Sequence, residues 1–148
     1  MTLHTVTVRH NFETAHRLPP LAGKCQNLHG HSWWADITVA GPIDEVGTVV
    51  EFGRLKAELR DWIDTHLDHG AMLGHDDPLV PLLRDMGSKV YVIGWDAYTR
   101  DLSWPTVESA ALLLARVTTL ILDSLDASAD VTHVRVRETH VNEAGWSA

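Results

Sequence analysis

The chain has 148 residues, is 45% apolar, and carries a net charge of −8 and a single cysteine. That length suits one domain spanning 1–148, able to bury about 68–70% of its unfolded surface. The acidic balance argues against a broad nucleic-acid-binding face, and the lone Cys25 excludes an internal disulfide framework or a multi-cysteine zinc site.

Leu3 to Phe12 reads as a strand, with His4, Val6 and Val8 on one face and Thr5, Thr7 and Arg9 on the other. This opening lacks the apolar core of a signal peptide. An irregular segment with Pro19, Pro20 and Gly23 follows from His16 to Gly30. Ser32 to Ala40 is a second strand, with Trp33, Ala35, Ile37 and Val39 on one face, and Gly41-Pro42 ends it. Phe52 to Leu67 places Phe52, Leu55, Leu59, Trp62, Ile63 and Leu67 at helical spacing. The stretch from Asp68 to Pro105 is too long for a bare loop, so a short helix is expected at Leu79 to Asp85 and a short strand at Val90 to Gly94.

Thr106 to Leu125 is a second amphipathic helix, capped by Thr106 and with Glu108 in its first turn. Val131 to Glu138 is a third strand, and Glu143 to Ser147 a short fourth. No stretch reaches the roughly 20 apolar residues of a membrane span, so a cytoplasmic protein without a membrane partner is expected. The main order, strand-strand-helix-helix-strand-strand, predicts an α+β fold with two helices on one face of an antiparallel sheet. A partner subunit would cover the other face.

Three features carry chemistry. His29-Gly30-His31 opens the second strand, where residues two apart point to the same side. His16 lies just beyond the first strand and comes near them if the strands pair as a hairpin. Three neutral imidazoles suit Zn²⁺ and leave a fourth position open, the mark of a catalytic site. By itself a His-X-His pair reads first as ordinary polar residues at a strand end.

Cys25, four residues before His29, reads as a general base if a nearby cation lowers its pKa, as a small buried hydrophobe, or as a further ligand. Asp68-His69 reads as an oriented proton carrier or as a helix terminus followed by Gly70. Glu138, on the apolar face of its strand, suits the paired N–H donors of an amino-pyrimidinone, or a salt bridge to Arg135 or Arg137, which alternation sends to the opposite face. Arg17 and Lys24 read as plain surface charge, and become candidates for phosphate contacts only through the substrate that the resemblance given below implies. His4, His10, His66, His75, His133 and His140 have no partner pattern and are expected at the surface or a polar rim.

The segments Phe12-Glu-Thr-Ala-His-Arg-Leu18, Lys24-Cys-Gln-Asn-Leu-His-Gly-His31, Gly47-Thr-Val-Val-Glu-Phe52, Leu67-Asp-His69, Pro105-Thr-Val-Glu108 and Val136-Arg-Glu-Thr139 occur in one order across nearly the whole chain. In them the sequence resembles the 6-pyruvoyl-tetrahydropterin synthase and 6-carboxytetrahydropterin synthase family. The short Cys25–His29 gap is similar to that of the bacterial carboxytetrahydropterin enzymes. The resemblance implies the tunnelling fold and a homotrimer or homohexamer with active sites at subunit interfaces. It implies a zinc-dependent lyase acting on 7,8-dihydroneopterin triphosphate, releasing acetaldehyde and triphosphate on a route to queuosine or another 7-deazapurine. By position it implies His16, His29 and His31 as zinc ligands and Cys25 as base. His69 with Asp68 would relay protons, Glu138 would anchor the pterin and join the relay, and Thr106 would add a pterin contact. The alternatives are pyruvoyl-pterin formation, a non-catalytic zinc-containing pterin or purine binder, and a zinc hydrolase. Glu13-Thr14, Glu51, Ser109 and the long segment from Gly74 to Trp104 depart from the family pattern.

Overall fold

The computed structural model describes residues 2–148. Its elements are β1 (His4–His16), a single 3-10 turn (Lys24–Gln26), β2 (His29–Gly41), α1 (Phe52–His66), β3 (Gly70–Gly74), α2 (Leu79–Asp85), β4 (Val90–Ile93), α3 (Val107–Ser124), β5 (Asp130–Arg137) and β6 (Glu143–Ser147). They form one six-stranded sheet in the order β4-β3-β1-β2-β5-β6.

The antiparallel part is the expected one: β1 with β2, β2 with β5, and β5 with β6. β1 and β2 are longer than alternation suggested and pair without a break from His4↔Gly41 to His16↔His29. His16 is therefore the last residue of its strand rather than a residue beyond it. Its Cα lies directly across from that of His29.

The sheet is mixed rather than purely antiparallel, because β3 runs parallel to β1 and β4 parallel to β3. β4 and the short helix α2 stand where the sequence places them, whereas β3 was not anticipated. Ala71, Met72 and Leu73 are all buried, as in a parallel strand covered on both faces. Such a short continuous apolar run has no alternation to read.

The even-numbered residues of β1 and the odd-numbered residues of β2 face the helices. Val8, Phe12, Trp33, Ala35, Ile37, Val134 and Val136 pack with Leu55, Leu59 and Ile63 of α1 and Ala111, Leu114 and Val117 of α3. Each large aliphatic side chain so buried contributes about 1.5–3 kcal/mol. Trp33 stacks on Phe12 with interplanar angle 6°, and its Nε1 donates to the Thr14 carbonyl at 3.0 Å. A smaller cluster of Ala71, Leu73, Val80 and Val92 seats α2.

His10 corrects the surface expectation. It is only 5% exposed, and burial pushes its ring down to about 4. It falls on the inward face of β1 together with Val8 and Phe12, so alternation places it inside. His4, His66, His75 and His140 are exposed, and His133 is half-buried. Among the described residues no helix is long and apolar enough to cross a membrane.

Candidate metal centre

The apolar stripe of β1 and β2 ends in histidines. His16 closes β1, while His29 and His31 open β2, and all three lie on the helix side of the sheet. One side-chain nitrogen from each lies within 4.8 Å of the others. The rings meet edge to face, with centroids 4.7 to 5.3 Å apart. Trp33 supports the group from below, with its ring edge-on to both His16 and His31.

Backbone carbonyls select the tautomers. His16 Nδ1 lies 2.8 Å from the carbonyl oxygen of Pro105, and His29 Nδ1 lies 2.7 Å from that of Asn27. A carbonyl only accepts, so each Nδ1 carries the proton and each Nε2 is left with a lone pair. This arrangement orients and strengthens a metal ligand.

His16 is 1% exposed, and burial holds its ring down to about 4, with the neighbouring His29 and His31 adding to the effect. His31 is lowered in the same way, opposed by Glu138. Both are thus neutral at pH 7. The Nε2 atoms of His16 and His31 are buried yet have no hydrogen-bond partner. Orphaned buried nitrogens are rare, and here they are what a coordinated cation would satisfy. The donor set fits zinc.

Glu138 stands just past the end of β5, with its Oε2 3.5 Å from His16 Nε2 and 3.7 Å from His31 Nε2. Because the two imidazoles are neutral, these are contacts rather than ion pairs. Arg135 and Arg137 lie on the other sheet face, bound to Asp36, so a salt bridge from Glu138 to either is not the arrangement present. Thr106, directly after Pro105, caps α3: its Oγ1 accepts from the Ser109 backbone N–H at 3.0 Å. Helix capping and His16 orientation are therefore neighbouring functions of one turn.

Cys25 sits on the 3-10 turn, half-buried and with a free thiol. It does not belong to the converging ligand group. Its backbone carbonyl accepts from Leu18 N–H at 2.7 Å, which closes the loop between β1 and β2. Arg17, a phosphate candidate by sequence, donates Nε and Nη2 to Asp77, whose side chain is fully buried. Lys24 is exposed.

Asp68 and His69 lie elsewhere. His69 Nδ1 is 2.8 Å from Asp68 Oδ2, and Asp68 Oδ1 accepts from the Glu13 backbone N–H at 2.8 Å. That anchor is three residues, about 10 Å, back along β1 from His16. The His69 side chain is 78% exposed, and its backbone has φ 58°, a left-handed conformation uncommon for a residue other than glycine. The pair is oriented but open to solvent, as a group meeting a ligand or a neighbouring subunit would be.

The chain is similar in sequence and in fold to known proteins. The family profile of 6-pyruvoyl tetrahydropterin synthase matches residues 5–147. The chain is 35% identical over 111 residues to the 6-carboxy-5,6,7,8-tetrahydropterin synthase of Rickettsia typhi, covering 73% of this chain and 75% of that one. It is 31% identical over 130 residues to a probable 6-carboxy-5,6,7,8-tetrahydropterin synthase of Halobacterium salinarum, covering 88% and 77% respectively. Its fold superimposes on that of the Caenorhabditis elegans 6-pyruvoyl tetrahydropterin synthase with a TM-score of 0.68. Sequence identity there is 21%, over 100% of this chain and 97% of the other.

Proposed function

The chain belongs to the 6-pyruvoyl tetrahydropterin synthase family, and from that premise we propose that it is a zinc-dependent 6-carboxytetrahydropterin synthase. The substrate is 7,8-dihydroneopterin triphosphate, and the products are 6-carboxy-5,6,7,8-tetrahydropterin, acetaldehyde and triphosphate. The observation that carries the reading is the trio His16, His29 and His31, whose nitrogens converge, with His16 and His29 pinned as lone-pair donors. The names of the relatives support the carboxytetrahydropterin branch.

His16, His29 and His31 hold the metal, which when bound supplies Lewis-acid charge for the hydroxyls of the substrate side chain. Glu138 accepts the paired N–H donors of the pterin ring, and Thr106 adds a contact from the start of α3. Cys25 takes a proton from the side-chain carbon. His69 gives or receives protons at the oxygens through Nε2, since its Nδ1 is engaged by Asp68. Glu138 joins that relay.

His69 is exposed and apart from the trio, which supports an assembly in which a neighbouring subunit completes the site. We take that assembly to be a homotrimer or homohexamer; the outer edges of β4 and β6, the last strands on either side of the sheet, would be covered by it. The free thiol fits a reducing cytoplasm. The product would enter queuosine or related 7-deazapurine synthesis.

The test is to incubate zinc-loaded protein with dihydroneopterin triphosphate and to identify both pterin and aldehyde by mass spectrometry. Carboxytetrahydropterin with an equivalent of acetaldehyde supports the reading. A pyruvoyl product without aldehyde moves the chain to the other branch, and no turnover refutes it.

A further inference from the structure

On the sheet face away from the helices, one carboxylate holds three arginines. Asp36 is 5% exposed and accepts from Arg9 Nε, from Arg135 Nη2 at 2.8 Å and from Arg137 Nη2 at 3.3 Å. With Glu143 4.0 Å from Arg135 Nε, two negative charges face three positive ones, which leaves one positive charge in excess on a chain whose net charge is −8. A polyanion is repelled by the chain as a whole, so it needs such a local reversal of sign.

The donors are not used up. A guanidinium has five N–H groups, and among the described residues Arg137 bonds only to Asp36. Arg135 Nε is buried without a partner, with Glu143 4.0 Å away. Arg9, the most exposed of the three, also engages only Asp36. A cavity of about 740 Å³ is lined by Arg9, Trp34 and Arg137 and continues to His31, Glu138 and His140. Arg9 and Arg137 thus open into one space with His31 of the candidate metal centre.

We propose that Arg9 and Arg137, held in place by Asp36, form a polyphosphate subsite that receives the triphosphate arm of the substrate. The identity of that ligand rests on the substrate reading above. The chemistry stands on its own: guanidinium forks fixed in advance and retaining free donors match phosphate oxygens. Asp36 orders the side chains before the ligand arrives, so less freedom is lost on binding. It also accounts for a buried carboxylate on the open face of the sheet. Neither Arg17 nor Lys24 lines this cavity.

The experiment titrates inorganic triphosphate, then inorganic phosphate, into the metal-free full chain by calorimetry, so that chelation of zinc plays no part. The wild type is expected to bind triphosphate well above phosphate. Arg9→Gln and Arg137→Gln should each weaken triphosphate binding by roughly tenfold or more, at unchanged zinc capacity, as loss of a charge-assisted bond implies. With the zinc-loaded enzyme, the loss of efficiency on the pterin triphosphate should fall on KM. Inhibition by 7,8-dihydroneopterin, which has no phosphates, should be the same in variant and wild type. Should Arg137→Gln fold poorly, Arg9→Gln carries the test, because that side chain is 57% exposed. Equal triphosphate affinity in wild type and Arg9→Gln, or no binding by the wild type, overturns the subsite. Arginine-dependent triphosphate binding without turnover of the pterin would instead sink the substrate reading and leave the subsite standing.

Discussion

On the helix side of the sheet, β1, β2 and β5 carry Val8, Phe12, Trp33 and Val136 and then end in His16, His31 and Glu138; on the open side the same strands carry Arg9, Asp36, Arg135 and Arg137. On the first face burial holds His16 and His31 neutral, and backbone carbonyls pin the rings of His16 and His29. The polar groups of the second hold one another ionised, with arginine donors left unused. The difference teaches how one strand repeat separates two kinds of binding. A metal ligand needs a lone pair, which a dry environment protects by keeping imidazole neutral. An anion site needs permanent charge, which belongs where water can share its solvation.

Breaking the buried face should cost most. His29→Ala is expected to lose metal and to reduce activity by at least about 10³-fold, since a polarising cation contributes several kcal/mol. Elemental analysis beside a rate assay checks this, and full metal content in the variant would contradict it. Cys25→Ala should keep its metal and lose about 10²–10³-fold in rate, the range of a general base. Wild-type turnover in that variant would remove Cys25 from the chemistry.

Acid sharpens the comparison, because the buried face holds histidines whose protonation is suppressed by folding. In metal-free protein, His10 and His16 bind protons near pH 4, whereas unfolded histidine does so near 6.5. Between those values the unfolded state binds more protons. Stability is therefore complete above pH 6.5, falls as pH drops towards 4, and changes no further from these groups below that. The expected loss is about 3 kcal/mol per histidine, measured by denaturant unfolding at pH 7, 5.5 and 4. Stability that stays level across that interval would mean the two rings are not held neutral. On the open face, Asp36→Asn should cost least, about 1 kcal/mol, with the difference shrinking in high salt because its partners are solvated. A loss that does not change with salt would contradict the solvent exposure of its arginine partners.

Much of this was legible because strands advertise themselves by alternation. The inward set Val8, Trp33, Ala35 and Ile37, the opposite orientation of Arg135 and Glu138, and the Thr106 cap all follow from period and residue type. The His16–His29 juxtaposition followed once a hairpin was assumed. Long-range facts left no local signal. β3 was invisible because its apolar core of Ala71 to Leu73 has no period, and its parallel pairing with β1 depends on partners 56 residues away. The Arg17–Asp77 pair spans 60 residues, so nothing near Arg17 warned that its charge was committed. The carbonyls of Pro105 and Asn27, which fix the imidazole tautomers, are main-chain groups and carry no residue code. The Asp36 cluster was hidden for the same reason as the ion pair: its three cations come from two strands distant in sequence.

The account depends most on His16, His29 and His31 binding one cation together. The direct measurement is titration of the metal-free chain with zinc, followed by X-ray absorption on the loaded protein. One equivalent per chain, with three imidazole nitrogens at about 2.0–2.1 Å and no sulfur in the coordination sphere, is the predicted result. A sulfur ligand would reassign Cys25, and stoichiometric zinc retained by His29→Ala, or none bound by the wild type, would contradict the central claim.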